Sequence, residues 1–183
     1  MSVIVGLIED KTVYMGADSI AVDENGGTLV NTYPKLFRNG DFLIGYSGSI
    51  RLGQLLQCAF KPPVFEVPSQ NVPYGIASFM ITEFIPALQE CIEKAKLKED
   101  DSKSIMLIGF YGRLFCIYGQ NYQIEESADA PYNAIGCGAD IAIGSLWTTR
   151  NKDYTGRTRV ELALQAAEEH NAHVKGPFLI GSI

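Results

Sequence analysis

A chain of 183 residues, 46% hydrophobic and 20% charged, has the length and apolar content for a sizeable core, and a single domain over residues 1–183 is expected. Its 15 Lys and Arg against 21 Asp and Glu leave a net charge of −6 without a basic cluster, which argues against nucleic acid or an anionic membrane as partner. No apolar run approaches the roughly 18 residues of a membrane span, and the start lacks the basic stretch of a signal peptide, so a cytoplasmic location is expected. The four cysteines, Cys58, Cys91, Cys116 and Cys137, have neither metal-ligand pairing nor the density of a disulfide scaffold, and read as reduced thiols.

The first eighteen residues organise the rest. Val3-Ile4-Val5-Gly6-Leu7-Ile8 and Thr12-Val13-Tyr14-Met15-Gly16-Ala17 are apolar runs joined by the polar turn Glu9-Asp10-Lys11, the pattern of an antiparallel hairpin. A hairpin brings its outer ends together. Those ends are Ser2 and Asp18, so a hydroxyl, an α-amine once Met1 is removed, and a carboxylate fall side by side. A serine hydroxyl is a poor nucleophile at neutral pH and needs a base within hydrogen-bond reach. An α-amine titrates near ~8, more than two units below a lysine, and can be neutral enough to accept that proton. Only the first residue of a mature chain carries hydroxyl and amine together, and Ser2 is small enough for the initiator Met1 to be trimmed. The plain alternative is that Ser2 simply starts a strand.

Residues 20–27 read as a polar, glycine-bearing connection. Thr28-Leu29-Val30 and Lys35-Leu36-Phe37 follow as short strands interrupted by Tyr33-Pro34; Lys35 is either a solvated strand-end lysine or a functional cation. Residues 41–46 form a strand that Ser47-Gly48-Ser49 turns into a helix over 50–60, with Leu52, Leu55, Leu56 and Ala59 at helical spacing. A glycine at such a turn lets backbone N–H groups face a cavity, and the helix N-terminus adds positive potential. That suits an oxyanion hole, where one fixed donor is worth about 3 kcal/mol, and it equally suits an ordinary helix start.

Residues 61–73, with Pro62, Pro63, Pro68 and Pro73, read as a surface loop. Residues 74–98 carry the longest helical pattern, kinked or split by Pro86 and ending in a charged tail from Glu93 to Asp101. Cys58 and Cys91 fall on apolar helix faces and read as core. Residues 104–109 and 113–119 make a second hairpin around Phe110-Tyr111-Gly112, followed by a short strand over 122–124. Asn133-Ala134-Ile135 leads into Gly136-Cys137-Gly138 and a helix over 139–149. Another helix runs from Thr158, with Glu161 completing a capping box, to His170, and residues 174–183 close the chain as a strand.

Five of these blocks, Ser2-Val3-Ile4-Val5-Gly6, Gly16-Ala17-Asp18-Ser19, Lys35 within Pro34-Lys35-Leu36, Ser47-Gly48-Ser49 and Gly136-Cys137-Gly138, resemble the successive signatures of proteasome β subunits and the bacterial HslV peptidase. Their order is the same and their spacing closely similar, over most of the chain. The resemblance implies an α+β fold, the four-layer α-β-β-α sandwich of N-terminal-nucleophile (Ntn) hydrolases. It implies a threonine/serine-type peptidase that cuts peptide or amide bonds through an acyl-enzyme on Ser2. The Ser2 amine then acts as base, and a buried Lys35 favours the deprotonated hydroxyl and lowers the amine pKa. Asp18 holds Lys35 charged and oriented, and the Gly48 N–H receives the oxyanion. Cys137 stands where the family usually has a serine that touches the nucleophile's amine. Family members stack into closed rings, so a homo-oligomeric ring acting on peptides or unfolded protein is expected, and an ATP-driven unfoldase is the partner that analogy adds. Neither cofactor nor metal enters this reading.

Departures from the pattern define the alternatives. A thiol at Cys137 is a weaker donor and acceptor than a hydroxyl. Where the family places an acid and a serine after the last long helix, this chain has Glu169-His170-Asn171-Ala172-His173. Serine in place of the usual threonine lacks the methyl group that fixes the rotamer. A retained Met1 blocks the amine. One alternative is therefore a catalytically inactive assembly protein that keeps the fold; another is a cysteine hydrolase pairing Cys137 with His170 or His173.

Overall fold

The computed structural model describes residues 2–22, 28–30, 33–66, 75–97, 103–127 and 129–183. Met1, Gly27, Pro68, Pro73, Tyr74 and residues 98–101, on which parts of the expectations above rest, lie outside the described residues.

The opening hairpin forms as expected from β1 (Val3–Glu9) and β2 (Thr12–Ala17), with Ile4 opposite Ala17 and Glu9 opposite Thr12. Asp10 and Lys11 both take positive φ, 49° and 65°, the twist that a two-residue hairpin turn requires. The polar connection expected over 20–27 begins instead with a strand: β3 (Ile20–Val22) pairs with β4 (Thr28–Val30) in a two-stranded ribbon. Three residues are too few to show a period, so cross-strand pairing decides here. Then come β5 (Leu36–Asn39), β6 (Phe42–Ser47) and helix α1 (Ile50–Cys58).

The long helical pattern is split into α2 (Gly75–Phe79), a π-helical turn at Met80–Phe84, and α3 (Ile85–Lys94). Pro86 lies at the start of α3 and has no N–H for the carbonyl four residues back, so the chain widens before it; the Ile85 N–H reaches the Met80 carbonyl instead. Strands β7 (Ile105–Phe110), β8 (Arg113–Tyr118), β9 (Gln123–Glu126) and β10 (Tyr132–Gly136) lead to α4 (Ala139–Thr148), α5 (Gly156–His170) and β11 (Leu179–Ser182).

Strand β9, expected over 122–124, covers Gln123–Glu126, and helix α5 and the closing strand differ further from the sequence reading. Helix α5 starts earlier than Thr158, because Thr155 is its N-cap and accepts the Thr158 N–H at 3.2 Å. Glu9 does what the expected capping-box acid, Glu161, was to do: its carboxylate accepts the Gly156 N–H at 2.7 Å, placing negative charge at the helix N-terminus and tying α5 to β1. The closing strand covers only Leu179–Ser182, since Pro177 cannot donate to a ladder.

Two antiparallel sheets result, one in the order β10-β1-β2-β11 and the other β5-β6-β7-β8-β9. Strand alternation, period two, assigns their faces. Val3, Val5 and Leu7 pack on Leu146, Val160 and Leu164 of α4 and α5. Ile4 and its neighbours Val13 and Met15 meet Leu43, Leu107 and Leu114 of the other sheet. Phe42, Ile44 and Tyr46 of β6 turn the other way, onto Leu52, Leu56, Phe84 and Leu88 of α1 to α3. Three apolar layers separated by two sheets make the four-layer α-β-β-α sandwich. The cysteines correct the expectation for two of them. Cys58 is exposed at the end of α1 and Cys91 half-buried, whereas Cys116 lies between the sheets, where burial pushes its thiol up to about 11. Among the described residues no helix is long and apolar enough to cross a membrane.

Candidate active site

The hairpin register, with Ile4 opposite Ala17, brings Asp18 against Val3 at the end of the first sheet, with Ser2 one residue further along. Asp18 is locked there in both directions. Its carboxylate accepts the Val3 N–H at 2.9 Å, and its own N–H donates to the Val3 carbonyl at 3.3 Å. Lys35, immediately before β5, comes from the second sheet and places its Nζ 2.9 Å from each Asp18 carboxylate oxygen. The Tyr46 N–H donates to the Lys35 carbonyl at 3.0 Å and holds the lysine backbone against β6. Ser2, Asp18 and Lys35 are 1%, 1% and 6% exposed, so Lys35 is a buried cation and not a solvated strand-end lysine. Burial pushes the Asp18 carboxyl above its ordinary value; the Lys35 charge and the N–H groups of Val3 and Ile20 pull the other way.

Gly48 follows β6 with φ +123°, a conformation open to glycine. A Cβ there would lie 2.5 Å from Ser104 Oγ, and that oxygen accepts the Ser49 N–H at 2.9 Å, fixing the turn. Ser49 caps α1 by accepting the Leu52 N–H. Ser2, Lys35 and Gly48 line one cavity of about 50 Å³, walled further by Ile20, Ala21, Tyr46 and Ile50. The candidate nucleophile, the buried lysine and the candidate oxyanion donor, taken from three separate blocks of sequence, thus share one space.

Cys137, in the turn between β10 and α4, lies against the Ser2 backbone and not among the residues lining that cavity. Its Sγ lies 3.4 Å from the Ser2 carbonyl oxygen and 3.7 Å from Asn171 Oδ1, and the Gly138 N–H also points to the Ser2 carbonyl, at 3.4 Å. The thiol's hydrogen-bond partners are these two oxygens; His170 and His173 are both exposed, which gives the Cys137–histidine alternative no geometric support. Gly136, at φ +95°, is what permits the close approach, because a Cβ there would lie 2.2 Å from the Ser2 carbonyl oxygen. Gly136→Ala is therefore expected to cost about 1–3 kcal/mol of stability from backbone strain alone. It should also dislodge Ser2, seen as a lowered urea midpoint together with lost reactivity of Ser2.

Three neighbours of the site went unassigned in the sequence reading. Ser47 Oγ accepts a hydrogen bond from Ser2 Oγ at 2.7 Å. Ser104 buttresses Gly48. Asn171 donates from Nδ2 to the Cys137 carbonyl at 2.8 Å and accepts the His173 N–H at 2.9 Å, occupying the place where an acid and serine were sought. Strand alternation held a signal for Ser47, since it shares the sheet-facing side of β6 with Leu43 and Gly45. Ser104 and Asn171 left none, because both act from loops across long sequence separations. Among the described residues, no group of three or more His, Cys, Asp or Glu is placed to hold a metal ion.

A four-layer sandwich with a serine at the start of an inner strand, a buried carboxylate–lysine pair beside it and a glycine turn opposite has the proteasome-like fold of the Ntn hydrolases. Solved structures share that fold. Thiobacillus denitrificans BPH in complex with epoxomicin superposes with a TM-score of 0.76 at 19% identity, covering 99% of this chain and 97% of that one. Eukaryotic HslV from Trypanosoma brucei gives 0.71 at 16% identity, over 98% of both chains. Anbu, the ancestral β-subunit from Yersinia bercovieri, gives 0.67 at 17% identity, over 98% of this chain and 80% of that one. No family model matches the sequence, and no curated protein matches it at a significant level.

Proposed function

We propose that the chain is a serine-type Ntn peptidase, working after removal of Met1 inside a closed homo-oligomeric ring in the cytoplasm. The observation that carries this is the convergence of Ser2, Gly48 and Lys35, itself paired with the buried Asp18, on one small cavity. In acylation the Ser2 oxygen attacks the carbonyl carbon of a peptide bond and its proton passes to the Ser2 α-amine. The carbonyl oxygen takes negative charge and receives the Gly48 N–H. Collapse expels the leaving amine, which takes the proton from the α-ammonium. Water then enters, the free amine removes its proton, and hydrolysis of the ester returns Ser2. Lys35, kept charged by Asp18, lowers the cost of both the alkoxide and the neutral amine. Ile20, Ala21, Tyr46 and Ile50 share the cavity wall with the polar Ser2 and Lys35. An ATP-driven unfoldase is the partner that would feed such a ring.

Epoxomicin bound to the Thiobacillus protein suggests the test. A peptide epoxyketone has two electrophilic carbons, matched to the hydroxyl and amine of one residue. Intact mass of the untagged chain should show loss of one methionine, and after treatment one covalent adduct that the Ser2→Ala chain lacks. A retained Met1 overturns the peptidase and leaves the inactive assembly protein; a monomeric native mass overturns the ring.

A further inference from the structure

We infer that Ser47 is a positioning residue that fixes the rotamer of the nucleophile, a task that a threonine performs with its own methyl group. The inference rests on the reading of Ser2 as nucleophile. A serine side chain has three staggered χ1 wells and no branch to choose among them. Attack requires one orientation, with Oγ within reach of both the α-amine and a carbonyl carbon in the cavity. In the structure the hydroxyl's hydrogen bond goes to Ser47 Oγ at 2.7 Å, while Lys35 Nζ spends its contacts on both Asp18 oxygens. The ion pair therefore supplies charge, and Ser47 supplies direction.

Ser47 is itself rigidly placed. It ends β6, stands opposite Ile105 of β7 in the ladder, and belongs to the face of β6 that looks toward β1. On its other side Gly136 leaves room for the hydroxyl, since a Cβ on Gly136 would approach Ser47 Oγ to 3.0 Å. Gly48 is the next residue. One dipeptide thus orients the attacking oxygen and presents the N–H that receives the oxyanion, so the two are set at a fixed mutual distance by a single peptide unit. A hydroxyl acceptor also suits the reaction's proton economy: it takes the Ser2 hydrogen bond in the resting state without removing the proton, which remains for the amine.

The test is a double-mutant cycle on covalent capture by the peptide epoxyketone, followed by intact mass, with the maximal rate separated from the half-saturating concentration. Ser47→Ala in the parent chain should slow the maximal rate up to about tenfold, the effect of one net hydrogen bond, and leave the half-saturating concentration unchanged. In a Ser2→Thr chain, where the methyl group holds the rotamer, the same substitution should change the rate by less than about twofold, giving a clear coupling. An equal loss in both backgrounds, or a faster Ser47→Ala chain, overturns the role of Ser47 and leaves the nucleophile standing. Absence of adduct in all four chains overturns the nucleophile, and Ser47's role with it.

Discussion

Ser2→Ala is expected to lower peptide hydrolysis by about 10⁴-fold or more, to the residual level that binding and the oxyanion donor alone sustain. The substitution deletes a single oxygen and leaves the backbone intact, so the α-amine of residue 2, Asp18 and Lys35 keep their places. Its one hydrogen bond in the structure, to Ser47, contributes about 1 kcal/mol to folding, and the unfolding midpoint should move little. The discriminating measurement pairs turnover on a fluorogenic peptide series with a urea titration of the same preparations. Large loss of turnover with unchanged stability identifies Ser2 as the nucleophile. Unchanged turnover would assign any activity elsewhere and leave the fold as an assembly scaffold.

Lys35→Met is expected to have the largest effect on stability, about 3–5 kcal/mol, together with loss of activity. Asp18 is 1% exposed and Lys35 6%. Removing the lysine leaves a buried carboxylate without its counter-charge, which costs far more than the net worth of the pair. The compensated double variant Asp18→Asn with Lys35→Met should regain much of that stability, because two neutral groups no longer require pairing. It should remain inactive, because no cation is left beside the hydroxyl and amine. Recovery of activity in the double variant would reduce the pair to a purely structural role.

The same pair fixes the sign of an acid effect. Burial raises the Asp18 carboxyl above its ordinary 3.8, so the folded chain holds that proton more tightly than the unfolded chain. Linkage then makes protonation of Asp18 favour the folded state as pH falls. Acidification through the raised value should remove the negative partner of Lys35 and stop turnover without unfolding the chain through this group.

The hairpin of β1 and β2 was legible from its two apolar runs and the polar turn between them, which bring Ser2 and Asp18 to the same end of the sheet. The helices were legible as apolar periods, and Pro86 marked the irregular turn before α3. Boundaries that depend on partners were not. Ile20–Val22 becomes a strand only because residues 28–30 lie beside it, and α5 starts at Gly156 because Thr155 and Glu9 satisfy its first N–H groups. Of the site, Ser2, Asp18, Lys35, Gly48 and Cys137 were marked by a resemblance to signature blocks, whereas Ser104 and Asn171 carried no local pattern.

The sequence by itself determined which faces are apolar and where the chain turns, because periodicity and turn residues act over a few positions. Only the tertiary structure decided that Lys35 is a buried partner of Asp18, that Ser47 accepts the hydrogen bond of the Ser2 hydroxyl, and that Asn171 backs Cys137. Each of those contacts joins separate elements across a dozen or more residues, and its existence depends on how the layers stack. Desolvation, which makes this lysine and aspartate a buried ion pair, is a property of that stacking and has no local signature in the chain.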